Sequence, residues 1–358
     1  MKKIAQFLDR NKRHIATLAL VLGFLVDTLV FRNIDLTLSI AILSGYLVLA
    51  ASSILALASH PRSIPTGFLG RVREWLPVVH QYATGNLLSA FLILYFSSGS
   101  LSQSWPFLFI VAIAILGNEL ITTEKYSIPF QTTLFFLNLS LFFALVAPIL
   151  LNSLSVSTFL ISIIVSLLVF TGFLGIGYVL SRAFATHLHR VIGGVVVVVL
   201  VVVGMYFTSV IPPIPLSVKS IGFYHSVTKV GDTYVSEDEA REPYERFFDI
   251  GGITLHLAPG EPAYVYTSIF APAHFGAPVV HKWEYYDTSE KKWITKNTIK
   301  FPITGGRPEG YRGYSLIEFP SPGKWRVSVT TTAGAVIGRS TLNIIRVATP
   351  VAISQNTI

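Results

Sequence analysis

Residues 191–216 read VIGGVVVVVLVVVGMYFTSVIPPIPL, and the change of character inside this stretch decides how the chain is built. The run 195–203 is almost wholly valine. In water it would form a strand, yet with its flanks it approaches the roughly 20 apolar residues that carry a helix across about 30 Å of hydrocarbon. It ends on Ile211-Pro-Pro-Ile-Pro-Leu216. Proline fixes φ and cannot continue a helix, so these residues make a stiff, extended exit. Upstream of the exit the chain is apolar in long blocks; downstream the apolar residues recur every second position.

Working upstream, the composition asks for lipid. Of 358 residues, 52% are hydrophobic and 13% charged, about half the ~25% charge of a soluble domain. Six acidic residues fall in 1–214 (Asp9, Asp27, Asp35, Glu74, Glu119 and Glu124), and thirteen in 215–358. Seven stretches reach spanning length: 14–31, 36–58, 83–100, 104–122, 128–150, 154–180 and 191–211. Helices are the form that satisfies every backbone group in lipid. The first stretch follows Lys2, Lys3, Arg10, Lys12 and Arg13 but has no small-residue cleavage pattern, so it reads as a retained anchor.

Charge orients the spans. One set of flanks (1–13, 59–82, 123–127 and 181–190) holds eleven Lys and Arg, whereas the opposite short loops hold Arg32 alone. The positive-inside rule places the N-terminus in the cytoplasm, and seven crossings place residues 215–358 outside. The net charge of +8 therefore belongs mostly to membrane flanks. Residues 215–358, with 15 basic and 13 acidic side chains, offer no footprint for nucleic acid. Cysteine is absent, which excludes a disulfide framework, a thiolate nucleophile and a Cys-ligated metal.

Asp27 and Glu119 are the ionisable residues inside expected spans, and such residues are functional candidates by default. Each lies near a span end, so an interfacial role is the alternative. Asn118, Gln131 and Asn138 read as interhelical hydrogen bonds, and Gly172, Gly175 and Gly177 as a close-packing face. In the loop 59–82, Phe68, Leu69, Val72, Trp75, Leu76 and Val79 repeat every three or four residues beside Arg71 and Arg73. A short surface helix ending or bending at Pro77 is expected there. His187 and His189 share a basic turn suited to headgroups.

Downstream of the exit, alternation predicts strands at 217–228, 252–257, 262–271, 278–287, 292–302, 312–319, 323–332 and 335–346, separated by Gly- and Pro-rich turns. The architecture expected is a multi-domain membrane protein. An all-α bundle of about seven transmembrane helices (1–211) leads through a linker (212–218) into an all-β sandwich of immunoglobulin or fibronectin type (219–347). The acidic piece 236–246 reads as a loop or short helix, and 348–358 as a flexible tail. Within 278–287, Val279, His281, Trp283 and Tyr285 share one face and Lys282, Glu284 and Tyr286 the other. Trp283 and Trp325 are assigned to the core. Arg312 and Tyr314 also share a face.

His281-Lys-Trp283, Phe301-Pro-Ile-Thr-Gly-Gly306, Tyr311-Arg-Gly-Tyr-Ser315, Pro322-Gly-Lys-Trp-Arg-Val327 and Gly334-Ala-Val-Ile-Gly338 together carry a likeness. Over roughly 211–346 the chain resembles the bacterial domain-of-unknown-function 2914 family, in its form fused to a polytopic membrane region. The resemblance implies a sandwich module in the bacterial inner membrane, facing the periplasm, and implies no chemistry. The residues add none: His225, His256, His274 and His281 lack metal-ligand spacing, and no serine sits in a nucleophile elbow. No enzyme activity, metal or cofactor is expected.

Two readings follow. In the first, the helices anchor a sandwich that binds or scaffolds an envelope protein, glycan or lipid, with His281, Arg312, Tyr314 and Arg326 as contact candidates. The alternative for each of the four is a structural tie between strands. In the second, the helices form a transporter or part of a transmembrane sensor, because anchoring one domain needs one helix and not seven.

Overall fold

The computed structural model of the protein describes residues 36–59, 68–99, 101–120, 127–239, 253–272, 275–306 and 310–358. The expected span 14–31 with Asp27, the basic residues of 1–13, and Arg62, Lys125 and His274 lie outside them. The chain divides into a helical unit and a β unit, meeting in sequence between Ile214 and Pro215.

Six helices are described in the first unit: α1 (Leu36–Ala58), α2 (Phe68–Ser97), α3 (Leu101–Leu120), α4 (Ile128–Leu151), α5 (Val156–Leu180) and α6 (Arg182–Phe207). Four contain segments long and apolar enough to cross a bilayer, namely Leu38–Ala58, Ile128–Leu151, Val156–Leu180 and Phe184–Phe207. The expected spans 83–100 and 104–122 fall largely within α2 and α3, which are not among these four. In α2 the reason is visible in the residues, since His80, Gln81, Thr84, Asn86 and Ser89 interrupt the apolar run.

Two local expectations are corrected. The surface helix does not end at Pro77; α2 runs through it. The ring costs mainly the bond to the carbonyl four residues back, and the helix continues past it to Ser97. The basic turn 181–190 is likewise helical from Arg182, with Ser181 as the break. The Ser181 N–H bonds Gly177 O, and its hydroxyl donates to Ala58 O at 2.6 Å. Close packing also uses fewer of the expected glycines. A Cβ at Gly172 or Gly175 would meet nothing within 4 Å, whereas one at Gly177 would strike the Phe184 ring and one at Gly194 the Thr133 side chain.

The β unit holds eleven strands among its described residues: β1 (Ser217–Tyr224), β2 (Ser226–Val230), β3 (Thr233–Glu239), β4 (Ile253–Leu257), β5 (Ala263–Phe270), β6 (Gly276–Asp287), β7 (Lys292–Thr304), β8 (Tyr311–Ile317), β9 (Gly323–Thr331), β10 (Val336–Arg346) and β11 (Ile353–Thr357). They form sheets of order β1-β5-β8, β4-β10-β9-β6-β7 and β11-β3-β2. Every pairing is antiparallel except β10 with β4.

The first two sheets share a core, with Phe223, Val265 and Ile317 from one meeting Leu255, Trp283, Trp325, Val327 and Leu342 from the other. Trp283 and Trp325 are 0% and 2% exposed, as their face predicts. Each finds a partner for its indole N–H, Ser315 Oγ at 3.1 Å and Ser321 O at 2.7 Å, as buried tryptophans require.

Three expectations fail in this unit. The strand 217–228 is two strands in two sheets, because the chain turns at His225, whose N–H bonds Glu237 O. The acidic piece begins as strand β3, paired on both edges. The tail expected to be flexible contains β11, which zips antiparallel to β3 from Ile353↔Glu239 to Thr357↔Val235.

Candidate functional site

The outer face of the β1-β5-β8 sheet is built from rows of facing residues. Tyr224 stands opposite Tyr264; Gly222 stands opposite Tyr266, which faces Tyr314 on its other side; and Ser220 stands opposite Ser268, which faces Arg312. A Cβ at Gly222 would lie 2.6 Å from the Tyr224 hydroxyl, so a larger residue there would displace that ring. Tyr234 reaches over from β3, edge-on to Tyr266 at 5.5 Å and to Tyr314 at 6.2 Å, and its hydroxyl donates to Arg312 O at 3.1 Å. Tyr314 is 40% exposed.

Beside these rings a cleft of about 450 Å³ opens between Lys219, Tyr224, Tyr266, Ser268 and Arg312. Burial pushes the Tyr266 hydroxyl above its ordinary pKa, and the charge of Arg312 offsets part of the rise. The hydroxyl is therefore protonated at neutral pH and able to donate. Two cations, several hydroxyls and tyrosine rings line one cleft, and no acid–base or nucleophilic pair stands among them. Of the expected contact residues, Arg312 and Tyr314 are brought together here.

Arg326 lies elsewhere, on the outer face of the larger sheet. Its Nε and Nη2 donate to the Glu284 carboxylate at 2.7 and 3.0 Å, and its guanidinium covers the Trp293 ring at 4.4 Å. Lys282 Nζ stands 3.4 Å from the same carboxylate, and Ser328 Oγ donates to it at 3.2 Å. Burial would raise the Glu284 pKa, but Arg326 and then Lys282 hold it below the usual carboxylate value. Arg326 is thus the structural tie of the two roles weighed for it.

His281 is corrected outright as a contact candidate, being 0% exposed. Its ring bridges Thr267 Oγ1 at 3.0 Å and Ser315 Oγ at 2.9 Å, with Phe301 edge-on at 4.7 Å. Burial lowers its pKa to about 3, so the ring is neutral in the fold.

The topology also gathers residues that spacing alone kept apart. Glu239, at the end of β3, meets the rings of His225 (3.2 Å) and His256 (2.9 Å) and accepts from the His256 backbone N–H. Burial acts to raise its pKa, but these bonds outweigh it and hold the carboxyl down to about 2. Among the described residues no group of three or more His, Cys, Asp or Glu is arranged to hold a metal. The cluster is a hydrogen-bonded clasp that ties the end of β3 to the end of β4 and to the turn between β1 and β2. Its only trace in the sequence is the alternation of 233–239, masked by three acidic residues in a row.

In the helical unit, Glu119 at the end of α3 accepts from Gln81 Nε2 at 3.0 Å, while Asn118 Nδ2 donates to Gln81 O. Gln131 Oε1 lies 2.6 Å from His80 Nε2. Asn118 and Gln131 thus bond between helices as expected. Asn138 does not: its Nδ2 turns back to Leu134 O in its own helix.

No curated protein matches the chain. Among solved structures, an immunoglobulin-like protein from Pseudomonas aeruginosa aligns with 36% of this chain and 96% of its own, at 10% identity and a TM-score of 0.21. A beta-glucosidase from Listeria innocua aligns with 33% of this chain and 17% of its own, at 12% identity and a TM-score of 0.19. Neither likeness, at such scores, bears on what this chain does. The family described as "Protein of unknown function (DUF2914)" matches residues 277–344, which run from β6 into β10 and contain His281, Glu284, Arg312, Tyr314 and Arg326. The chain carries a DUF2914 domain at residues 277–344, C-terminal to its apolar helices.

Proposed function

We propose that the protein is a multi-pass protein of the bacterial inner membrane whose β unit, an immunoglobulin-like sandwich on the periplasmic side, binds a component of the cell envelope. The cleft carries this reading. Tyr224, Tyr266, Lys219 and Arg312 line it, and Tyr314 stands exposed beside it. Tyrosine and arginine are the residues that dominate recognition surfaces, since each offers a wide contact area with a polar tip. The orientation is supported by the eleven basic residues on one set of flanks against Arg32 on the other.

A photo-crosslinking residue in place of Tyr314, in intact cells, tests the reading. Adducts should form at position 314, be absent when the same residue replaces Thr332 on the exposed turn between β9 and β10, and disappear when Arg312→Glu is added. Equal patterns at 314 and 332 contradict it.

A specific observation also favours the helical unit as a pathway. His80, Thr84, Asn86, Gln131, Thr132 and Asn138 are all buried within it, and the side-chain oxygens of Asn86, Thr132 and Asn138 have no hydrogen-bond partner among the described residues. Polar side chains facing the interior of a helical bundle are candidates for a solute path. On this second reading, Asn86→Leu with Asn138→Leu abolishes uptake or efflux of a solute in reconstituted vesicles; on the anchoring reading it leaves flux unchanged.

A further inference from the structure

The outer face of the β4-β10-β9-β6-β7 sheet has an uneven charge. Cross-strand register places Arg339, Ser328, Lys282 and Thr298 in one row. Thr341, Arg326, Glu284 and Thr295 form the next, and Lys300 and Lys324 lie on the same face. Five cations thus share the face, and Glu284 is the one carboxylate on it among the described strand residues. That carboxylate is already taken by Arg326, Lys282 and Ser328.

Arg339 is the residue left short. Its Nε donates to Ser328 Oγ at 2.9 Å. Its two terminal nitrogens make no hydrogen bond among the described residues, although the side chain is half-buried beside Arg326. Burial first, and then the charge of Arg326, disfavour its charged form. A guanidinium held next to another cation, with its fork unused, is arranged for an incoming oxyanion.

The extent of the patch selects the class of ligand. The cations of this face reach from Arg339 on β10 to Lys300 on β7, three strand intervals or about 14 Å across the sheet. This is wider than one small anion and suits a polymer with repeated negative groups. At one end Tyr286 and the half-exposed Trp293, one face of which Arg326 covers, pack together at 5.1 Å, an aromatic flank whose remaining surface a sugar ring can use and a bare anion cannot.

We propose that this face binds an acidic polysaccharide, with Arg339 and Lys282 gripping its oxyanions and the Trp293 side offering a surface to its sugar rings. The inference rests on the reading of the β unit as an envelope-binding module but uses a different face from the cleft.

The test uses the full chain in nanodiscs of zwitterionic lipid and labelled polygalacturonate as probe, with neutral dextran as control. Binding should be seen at low salt and weaken as salt is raised, because exposed charge pairs are screened. R339Q with K282Q should weaken binding about tenfold or more while the variant still unfolds in one cooperative transition. If the double variant does not fold, K282Q alone should give a smaller loss in the same direction. The proposal is overturned if polygalacturonate fails to bind at low salt, if dextran binds equally, if folded variants bind unchanged, or if phosphatidylglycerol vesicles displace the probe through contacts that the variants do not alter. Crosslinking at position 314 is read separately, so a failure here is distinguishable from a failure at the cleft.

Discussion

His281 illustrates how much a single residue's setting decides. Its unfolded pKa is near 6.5 and its folded value about 3, so below pH 6.5 the unfolded chain takes up a proton that the fold refuses. Its contribution to stability is present above about pH 6.5 and is lost as pH falls toward 3. His281→Asn should flatten the acid side of the stability profile between those limits, measured by thermal unfolding across pH. Alternation correctly put His281 on the inward face with Trp283, but a histidine's polarity argued for a contact role. What the sequence could not show was that Thr267 and Ser315, 14 and 34 residues away, satisfy both ring nitrogens. Arg326 behaves similarly. Arg326→Ala leaves the Glu284 carboxylate buried with Lys282 as its remaining cation, and should cost about 3 kcal/mol in urea unfolding. Arg326→Met with Glu284→Gln should cost less, because no charge is then stranded.

At the scale of elements, β4 through β10 were readable because their alternation is strong and their turns carry Gly and Pro. β3 and β11 were not. Thr233–Glu239 ends in Glu-Asp-Glu, and β11, Ile-Ser-Gln-Asn-Thr, has one apolar residue. β11 forms because β3 supplies its backbone partners, and β3 because β2 and β11 flank it and Glu239 is clasped by His225 and His256. Deleting 353–358 should therefore expose β3, seen as new protease cleavage within 225–240 while β6–β9 stay protected. The clasp adds a pH signature of its own. The Glu239 pKa is depressed from 4.5 to about 2, so its contribution holds above about pH 4.5 and is lost as pH falls toward 2. Glu239→Gln should remove that dependence and raise cleavage in β3 at neutral pH.

At the scale of the whole molecule, the apolar helices and the β unit were apparent from composition alone, since lipid and water select different residues. The exact helix boundaries were not, because helices such as α2 carry their polar residues on buried faces and run on through proline. Sequence thus separated a helical unit from a β unit but could not place the cleft, which needs β1, β3, β5 and β8 to converge. On the proposed function the β unit lies on the periplasmic side of the membrane. The chain has no cysteine, so Thr288→Cys, on the exposed turn between β6 and β7, places one thiol on the β unit. In intact spheroplasts a membrane-impermeant maleimide should label that thiol fully without lysis. Labelling that appears only after the membrane is broken would contradict the account.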